Sequence, residues 1–439
     1  MRPLPEPADR IPLAGIGDLV LECLIHEYPG KRRIFRATLN GSDPVVAKFY
    51  LGSIQQWPEW RRGVRGALRL QSAGIAAPAL RHAGFAKRYR AWLCVLDWIE
   101  ADEPWPPEAL PEQLHHLLLR TLAEHHQAGL RQHDLNWLNF IPHDRKLYAI
   151  DGDRVHWQRR ALNRRKARAH LLRLYASKSR LPESEVAGGY AYYCRLREWP
   201  CTEDDIQAFV QAVRIARLRQ AKKVAARASQ GWKHYPRKRY GHIRTIRDRR
   251  HLEADTVECL AKALHAKGTT DGYPDPDTIR ACRIDLPAGP MPSLLRPWVT
   301  RQLALRTWRH ALILQRLGMP VLRPLAITWS NDGLGWLIQR NPPGLRPLSA
   351  RTEQPHEAQD GGTILEQADR SWGELAKAGL ALSLDSPETL GWDGERVWFM
   401  DPQGLNFGRP DSPQLRQSVE RAVRALRARL NPNVPESGP

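Results

Sequence analysis

The chain has 439 residues, of which 67 are Lys or Arg and 47 are Asp or Glu, so it carries a formal net charge of +20 at pH 7. Its length predicts two or three domains, each large enough to bury a core, and excludes a small protein held together by disulfides. Hydrophobic residues make up 42% of the chain and charged residues 26%. This composition is typical of globular proteins and excludes a fibrous protein or disorder of the whole chain.

The sequence gives no sign of membrane insertion or export. No apolar run approaches the roughly 18 to 20 residues that a membrane-spanning helix needs, and the best one, residues 91–99, contains Asp97. Charges and prolines occupy the first 15 residues, where a secretory signal would be apolar. The six cysteines form no Cys-x-x-Cys pair. We therefore expect reduced thiols in a cytoplasmic protein.

The first half begins with alternating apolar and polar residues and then turns helical. Alternation and an Asn40-Gly41 turn predict a three-strand meander, and the following segments predict a helix, two more strands and a second helix that stops at Gly129. The predicted elements are strands at 19–28, 34–39 and 44–50, a helix at 58–72, strands within 81–100 and a helix at 111–128. We interpret the pairs His115-His116 and His125-His126 of the second helix as surface residues.

Three polar residues follow that helix at a spacing that suits phosphoryl transfer. Asp134, Asn139 and Asp151 are separated by four and eleven residues. In such a reaction one carboxylate accepts the proton of the attacking hydroxyl, while an Asn and a second Asp hold the magnesium ion that neutralises the nucleotide phosphates. Lys48, in the third predicted strand, stands where a lysine would contact the phosphates, and an acid on the next helix, such as Glu59, would orient it.

The block HDLNWLNF…YAIDGDR resembles the catalytic and metal-binding loops of the lipopolysaccharide core kinases, bacterial enzymes that phosphorylate Kdo or heptose. The resemblance covers about residues 19–181. It implies a protein-kinase-like fold, ATP and Mg²⁺ as cofactors, and an inner-core sugar hydroxyl as the phosphate acceptor. It makes Asp134 the catalytic base, Asn139 and Asp151 the magnesium ligands, and Lys48 the phosphate contact.

Positive charge is concentrated in the middle of the chain. Residues 154–250 contain 26 Lys and Arg against seven Asp and Glu. The first part of this segment has helical periodicity, whereas residues 231–250 gain Gly, Pro and dense charge, as a linker does. We therefore predict a kinase-like domain at 1–235, a basic linker at 236–255, a second domain at 256–425 and a flexible tail at 426–439.

The second half repeats the order of the first. Residues 306–329 resemble residues 59–80, and residues 388–407 resemble the strand that leads into the metal loop, which predicts a second kinase-like repeat. In this alignment Cys282 replaces Lys48 and Leu390 replaces Asn139, while Asp385 and Asp401 remain. The fold expected is thus α+β, with a bilobal kinase-like domain, an antiparallel sheet plus helix followed by a helical lobe, present twice and catalytically degenerate in the second copy.

The function expected is that of a phosphotransferase that uses ATP and Mg²⁺ to phosphorylate a heptose or Kdo of the lipopolysaccharide inner core. The basic charge favours a cytoplasmic enzyme that is peripheral at the inner membrane and contacts anionic lipid. Three alternatives stay open: a small-molecule or protein kinase of the same fold, a nucleic-acid-binding protein, and a non-catalytic scaffold. Nucleic acid, the partner we do not expect, would be bound by the basic segment, where Trp232, Tyr235 and Tyr240 could stack on bases.

Overall fold

The computed structural model describes residues 3–52, 54–102, 111–132, 135, 137–152, 154–177, 181–232, 234–267, 278–284, 286, 290–348, 361–382, 389–408 and 412–430. The fold is α+β, as expected from the sequence. Contacts divide the chain into two compact units, Met1–Val210 (unit 1) and Gln211–Pro439 (unit 2). No described helix is both long and apolar enough to cross a bilayer.

Unit 1 begins with a six-stranded antiparallel sheet in the order β1-β2-β3-β4-β6-β5. Its elements are β1 (Arg10–Leu13), β2 (Gly17–Tyr28), β3 (Arg32–Leu39), β4 (Asp43–Leu51), α1 (Trp57–Ser72), β5 (Leu80–Ala86) and β6 (Ala91–Asp97). The predicted meander and helix are confirmed, and β1 is an addition. One face buries residues such as Phe35 and Phe49, while α1 packs with Tyr50 and Leu96.

The rest of unit 1 is mainly helical. It comprises α2 (Glu112–Gln127), β7 (Leu130–Gln132), β8 (Phe140–His143), β9 (Lys146–Ala149), β10 (Val155–Trp157), α3 (Arg164–Ser177), α4 (Glu183–Leu196) and the first residues of α5 (Glu203–Ala228), most of which belongs to unit 2. β7 pairs with β10, and β8 forms a hairpin with β9. Gly129 ends α2 at φ 74°, where a Cβ would lie 2.1 Å from the carbonyl oxygen of Gln158. Only glycine fits this turn, as the predicted helix stop requires.

Unit 2 contains a second antiparallel sheet, in the order β11-β12-β14-β15-β13. Its elements are β11 (Arg237–Tyr240), β12 (Ile243–Arg247), α6 (Ala254–Lys267), β13 (Ile279–Arg283), α7 (Arg296–Arg316), β14 (Arg323–Trp329), β15 (Gly335–Arg340), β16 (Arg346–Pro347), α8 (Gly361–Lys377), β17 (Leu380–Leu382), β18 (Leu390–Trp392), β19 (Val397–Phe399), β20 (Leu405–Phe407) and α9 (Pro413–Leu430). Trp308 and Trp372 lie fully buried in its core.

The predicted linker at 236–255 is instead structured. It holds β11, β12 and the start of α6, and β12 pairs with β14. Ile243 and Ile246 are buried, but they lie three residues apart amid dense charge, so the segment lacks the strict alternation from which a strand is predicted. The division between the units falls at 210/211, within α5, rather than at 235. α9 extends to Leu430, into the predicted tail, and residues 431–439 lie outside the described part.

Candidate active site

Lys48 reaches the predicted metal loop. It lies on β4, between β3 and β6, opposite Ile34 and Cys94. Its half-buried side chain donates from Nζ to the carbonyl oxygen of Ile150 at 3.3 Å, a contact between residues 102 positions apart. The strand lysine thus contacts the backbone of the residue that precedes Asp151.

The predicted magnesium ligands flank one end of the β8–β9 hairpin. Asn139 directly precedes β8, and Asp151 lies two residues after β9. The backbone N–H of Ile150 donates to the carbonyl oxygen of Asn139 at 3.0 Å, which fixes the two ligand positions close together. Their amide and carboxylate oxygens are the ligand type that Mg²⁺ prefers. Among described residues no group of three or more His, Cys, Asp or Glu side chains could hold a metal.

The predicted catalytic base, Asp134, lies outside the described residues. The described chain reaches Gln132, at the end of β7, two positions earlier. Asp153, which follows Gly152 after the predicted metal ligand Asp151, also lies outside. The role of Asp134 therefore remains a prediction from the sequence.

Glu59 does not pair with Lys48. It is exposed in the first turn of α1, and within the described chain no ion pair joins the two residues. One helical turn later, Gly63 lines the pocket around Lys48, so the face of α1 nearest the lysine has no carboxylate at that position. The role of Glu59 in orienting Lys48 stays a prediction, without a contact between the two residues in the described part of the chain.

The pocket around Lys48 is narrow because α1 packs directly on the metal loop. A Cβ on Gly66 would lie 1.8 Å from the carbonyl oxygen of Gly152, and a Cβ on Gly152 would lie 2.9 Å from the backbone nitrogen of Ala67. The space left beside Lys48 is about 10 Å³, enough for about one water. A nucleotide would thus meet Lys48 from outside this pocket. The sequence analysis does not predict this contact. Its one signal is that the small residues Gly63, Gly66 and Ala67 share a face of α1, which allows close approach of another backbone.

Replacing Gly66 by Ala should destabilise unit 1 by about 1–3 kcal/mol, because the new methyl group collides with backbone that has no flexible side chain to move aside. The control is Gly188→Ala in α4, where nothing lies within 4 Å of the added Cβ. There the same change should stabilise by about 0.5–1 kcal/mol, as usual for a helical glycine. Urea unfolding of both variants measures the change in unfolding free energy, which should be negative for Gly66→Ala and positive for Gly188→Ala. A stabilising Gly66→Ala would show that the metal loop does not rest on α1.

A buried chain of hydrogen bonds ends at the strand that leads to Asp134. His170 Nε2 donates to the carbonyl oxygen of Gln132 at 2.5 Å, so a neutral His170 accepts at Nδ1 from His126 Nε2 at 2.7 Å. His126 Nδ1 then accepts from the hydroxyl of Tyr193 at 2.5 Å, whose oxygen accepts from Arg197 at 3.1 Å. Every bond in the chain is satisfied with both imidazoles neutral. It holds the backbone two residues before the predicted base.

Burial keeps His126 and Tyr193 neutral. It lowers the pKa of His126 well below its ordinary value, with His170 adding to the effect, and raises the pKa of Tyr193 to about 12. His115 is also buried and bonds to the hydroxyl of Tyr175 at 2.9 Å. Our interpretation of the paired histidines as surface residues is therefore wrong for His115, His125 and His126, since α2 is enclosed by α3, α4 and β9.

His125 should make unit 1 sensitive to mild acid. Burial lowers its pKa to about 3 from an ordinary value of 6.5, so below about pH 6.5 the unfolded chain binds a proton that the folded chain does not. Stability is then lost as pH falls towards 3, at about 1.4 kcal/mol per pH unit. In His125→Leu the drop in unfolding free energy between pH 7 and pH 5 should be smaller by about 2 kcal/mol than in the wild type. His116→Leu, on the same helix but only half-buried, is the control, and equal pH dependence in all three proteins would contradict the assignment.

Comparison with known proteins assigns no family. No protein-family model matches the chain, and no curated protein matches it significantly. Its function must therefore be inferred from its own residues and geometry.

Proposed function

We propose that unit 1 is an ATP- and magnesium-dependent kinase. The observation that carries this proposal is the contact between Lys48 and the carbonyl oxygen of Ile150, which joins the strand lysine to the loop of Asp151. The backbone bond from Ile150 to Asn139 supports it, because it groups the lysine with both proposed magnesium ligands. If Lys48, Asn139 and Asp151 matched the kinase pattern only by chance, there would be no reason for the fold to bring their positions together.

In the proposed reaction Lys48 holds the phosphates of ATP, and Asp134 accepts the proton of the acceptor hydroxyl as its oxygen bonds to the γ-phosphorus. The bond between that phosphorus and the bridging oxygen breaks, and ADP leaves with the electron pair. Magnesium, held by Asn139 and Asp151, would neutralise the charge of the phosphates. The hydrogen-bond chain through His170 would keep the backbone before Asp134 in place.

We propose a heptose or Kdo of the lipopolysaccharide inner core as the acceptor. This choice rests on the resemblance of residues 133–154 to the kinases of that class, and on the positive charge beside the site. Exposed basic residues follow the metal loop directly: Arg154, Arg159, Arg160, Arg165 and Lys166. Their charge suits an acceptor that bears phosphate and lies at an anionic membrane surface.

Mass spectrometry of the core oligosaccharide from cells with and without the gene tests the acceptor. Loss of a single phosphate from the core, restored by the wild-type gene, is the expected result. An unchanged phosphate content would exclude the core as the acceptor and leave a small-molecule or protein acceptor.

Membrane association should depend strongly on salt. Residues 154–250 carry 26 basic and seven acidic residues, and the charges exposed among them are screened beyond about 8 Å at physiological ionic strength. Flotation with vesicles of phosphatidylglycerol and phosphatidylcholine should therefore be strong at low salt and weak at high salt, and absent with phosphatidylcholine alone. Equal flotation with both kinds of vesicle would contradict attraction to anionic lipid.

We propose further that unit 2 is a degenerate copy of unit 1. Each unit contains a strand, a helix and two further strands in this order along the chain. They are β4, α1, β5 and β6 in unit 1, and β13, α7, β14 and β15 in unit 2. In both units the first of the three strands pairs with the last, β4 with β6 and β13 with β15. A helix, a strand, a hairpin, a strand and another helix follow in both. Gly129 and Gly379 follow corresponding helices at φ 74° and 79°, which supports the repeat.

The register of the second copy supports the loss of its catalytic residues. Cys282 pairs with the third strand of its group as Lys48 does. The bond from Met400 to the carbonyl oxygen of Thr389 corresponds to that from Ile150 to Asn139, so Thr389, rather than Leu390, is the counterpart of Asn139. Asp385 lies outside the described residues.

In unit 2 the neutral side-chain amide of Gln403, rather than a lysine, links the strand β13 to the loop of Asp401. Gln403 donates to the carbonyl oxygen of Arg283 at 3.0 Å and to Asp401 at 3.2 Å. Among the described strands β13 has one neighbour, β15, whereas β4 also pairs with β3, which belongs to the meander that would cover a nucleotide. We therefore propose a structural role for unit 2, since loss of the site does not remove the need for packing.

A further inference from the structure

A cavity of about 280 Å³ in unit 2 is surrounded by basic side chains. It lies at the edge of the sheet formed by β11, β12 and β14, beside α7. Its lining includes Arg237, Lys238, Arg239, Arg244, Arg301 and Trp329. Neither the proposed kinase site nor the proposed degenerate copy accounts for this concentration of charge.

The cations in this cavity repel one another without compensation from the protein. Arg239 lies directly opposite Arg244 across the β11–β12 pair, and like charges at opposed positions of a sheet are destabilising. Burial lowers the pKa of Arg237, and nearby Arg301 and Arg309 lower it further. Within the described parts of the chain no Asp or Glu forms an ion pair with any of the five basic residues that line the cavity.

The walls of the cavity offer hydrogen-bond donors that lack protein acceptors. Arg237 donates to the carbonyl oxygen of Ser229, and Arg239 donates to that of Gly241 at 2.7 Å. Each guanidinium has five N–H donors, so most N–H groups of Arg237 and Arg239 have no acceptor among the described residues. Trp329, which is only 5% exposed, contributes an aromatic side chain to the same wall. The complementary ligand is one that carries several acceptor oxygens and more than one negative charge.

We propose that this cavity binds a compact ligand with clustered phosphate groups, either a free phosphate ester or the phosphate headgroup of a lipid. Guanidinium groups recognise phosphate through paired charge-assisted hydrogen bonds. The basic residues converge on one cavity rather than along a groove, and a groove is what tracks the spaced phosphates of a nucleic acid strand. The geometry therefore favours a compact ligand over an oligonucleotide. This site is independent of the kinase function proposed for unit 1.

Titration of the full chain with inorganic tripolyphosphate, in buffer with EDTA and no magnesium, tests the proposal. Arg244→Gln and Arg301→Gln remove side chains that make no hydrogen bond or ion pair with the described residues, and each should weaken binding by at least about tenfold, since a charge-assisted hydrogen bond is lost. Arg316→Gln, an exposed residue of α7 outside the cavity, is the matched control and should bind as the wild type does. Lys48→Met should also leave the affinity unchanged, which separates this site from the kinase site.

Thermal unfolding without ligand is a second measurement, in which Arg301→Gln should not be weaker than the wild type although it binds tripolyphosphate less tightly. Because the basic residues repel one another in the free protein, Arg301→Gln should melt at the wild-type temperature or above it. Tripolyphosphate should raise the melting temperature of the wild type and of Arg316→Gln more than that of Arg301→Gln. Lower stability of folded Arg301→Gln together with wild-type affinity would overturn the proposal.

Competition distinguishes the two phosphate sources. If tripolyphosphate releases the wild-type chain from phosphatidic acid vesicles but has no such effect on Arg244→Gln, the ligand is a lipid headgroup. If tripolyphosphate binds the chain but Arg244→Gln binds these vesicles as the wild type does, the ligand is a free phosphate ester. Tighter binding of a single-stranded oligonucleotide than of tripolyphosphate, weakened equally by both cavity substitutions, would overturn the proposal in favour of nucleic acid.

Discussion

Replacing Asp134 by Asn is expected to lower phosphoryl transfer by about 10²-fold or more while magnesium–ATP binding stays near the wild-type value. The substitution keeps the size of the side chain but removes the group that accepts the hydroxyl proton in the transition state. Steady-state transfer to the isolated core acceptor gives the first quantity, and calorimetric titration with magnesium–ATP gives the second.

Asp144→Asn is the matched control for this change. Asp144 is exposed in the β8–β9 turn at φ 48°, a conformation that Asn adopts readily, and the substitution removes the same charge. It should leave both quantities unchanged. Wild-type transfer by Asp134→Asn on a validated acceptor would mean that the base is another residue.

Replacing Asp151 by Asn is expected to weaken magnesium–ATP binding by at least about tenfold, because a charged metal ligand becomes neutral at the position beside Ile150 and Lys48. Asp401→Asn makes the same change at the corresponding position of unit 2, where Gln403 contacts the carboxylate. It should leave nucleotide affinity and turnover at wild-type values. The affinities are measured by titrating ATP at fixed magnesium and by titrating magnesium at fixed ATP.

Equal losses from Asp151→Asn and Asp401→Asn would mean that the second site is active and that the division of labour between the units is wrong. A loss in Asp401→Asn alone would move the nucleotide site to unit 2. Wild-type affinity in both variants would remove Asp151 from the site.

The strands and the main helices of unit 1 could be predicted because their signals are local. Alternation gave β2, β3 and β4, and the Asn40-Gly41 turn joined two of them; Asn40 indeed has φ 55° and Gly41 φ 77°. The spacing of Asn139 and Asp151 also held useful information, since the hairpin between them brings the two together. The position of Lys48 within an inner strand could be predicted for the same reason, and β4 lies between β3 and β6.

The errors concern properties that depend on which surfaces meet. Gly63, rather than Glu59, is the residue of α1 that lines the pocket around Lys48. The absence of Cys or acidic partners beside His125 and His126 predicts surface residues, yet the packing of α2 encloses both, and His126 donates to His170. The dense charge of β11 and β12, without strict alternation around Ile243 and Ile246, predicts a linker. The contact of Gly66 with Gly152 joins residues 86 positions apart, and no local pattern encodes it.

The most direct test of the central claim is transfer of labelled γ-phosphate from ATP to lipopolysaccharide purified from a strain that lacks the gene. The wild-type chain and Asp401→Asn should label the inner core in the presence of magnesium, and EDTA or Asp134→Asn should abolish the labelling. No labelling by the wild-type chain above the level of Asp134→Asn, with acceptor shown to lack the phosphate, would contradict the assignment of unit 1 as a core kinase.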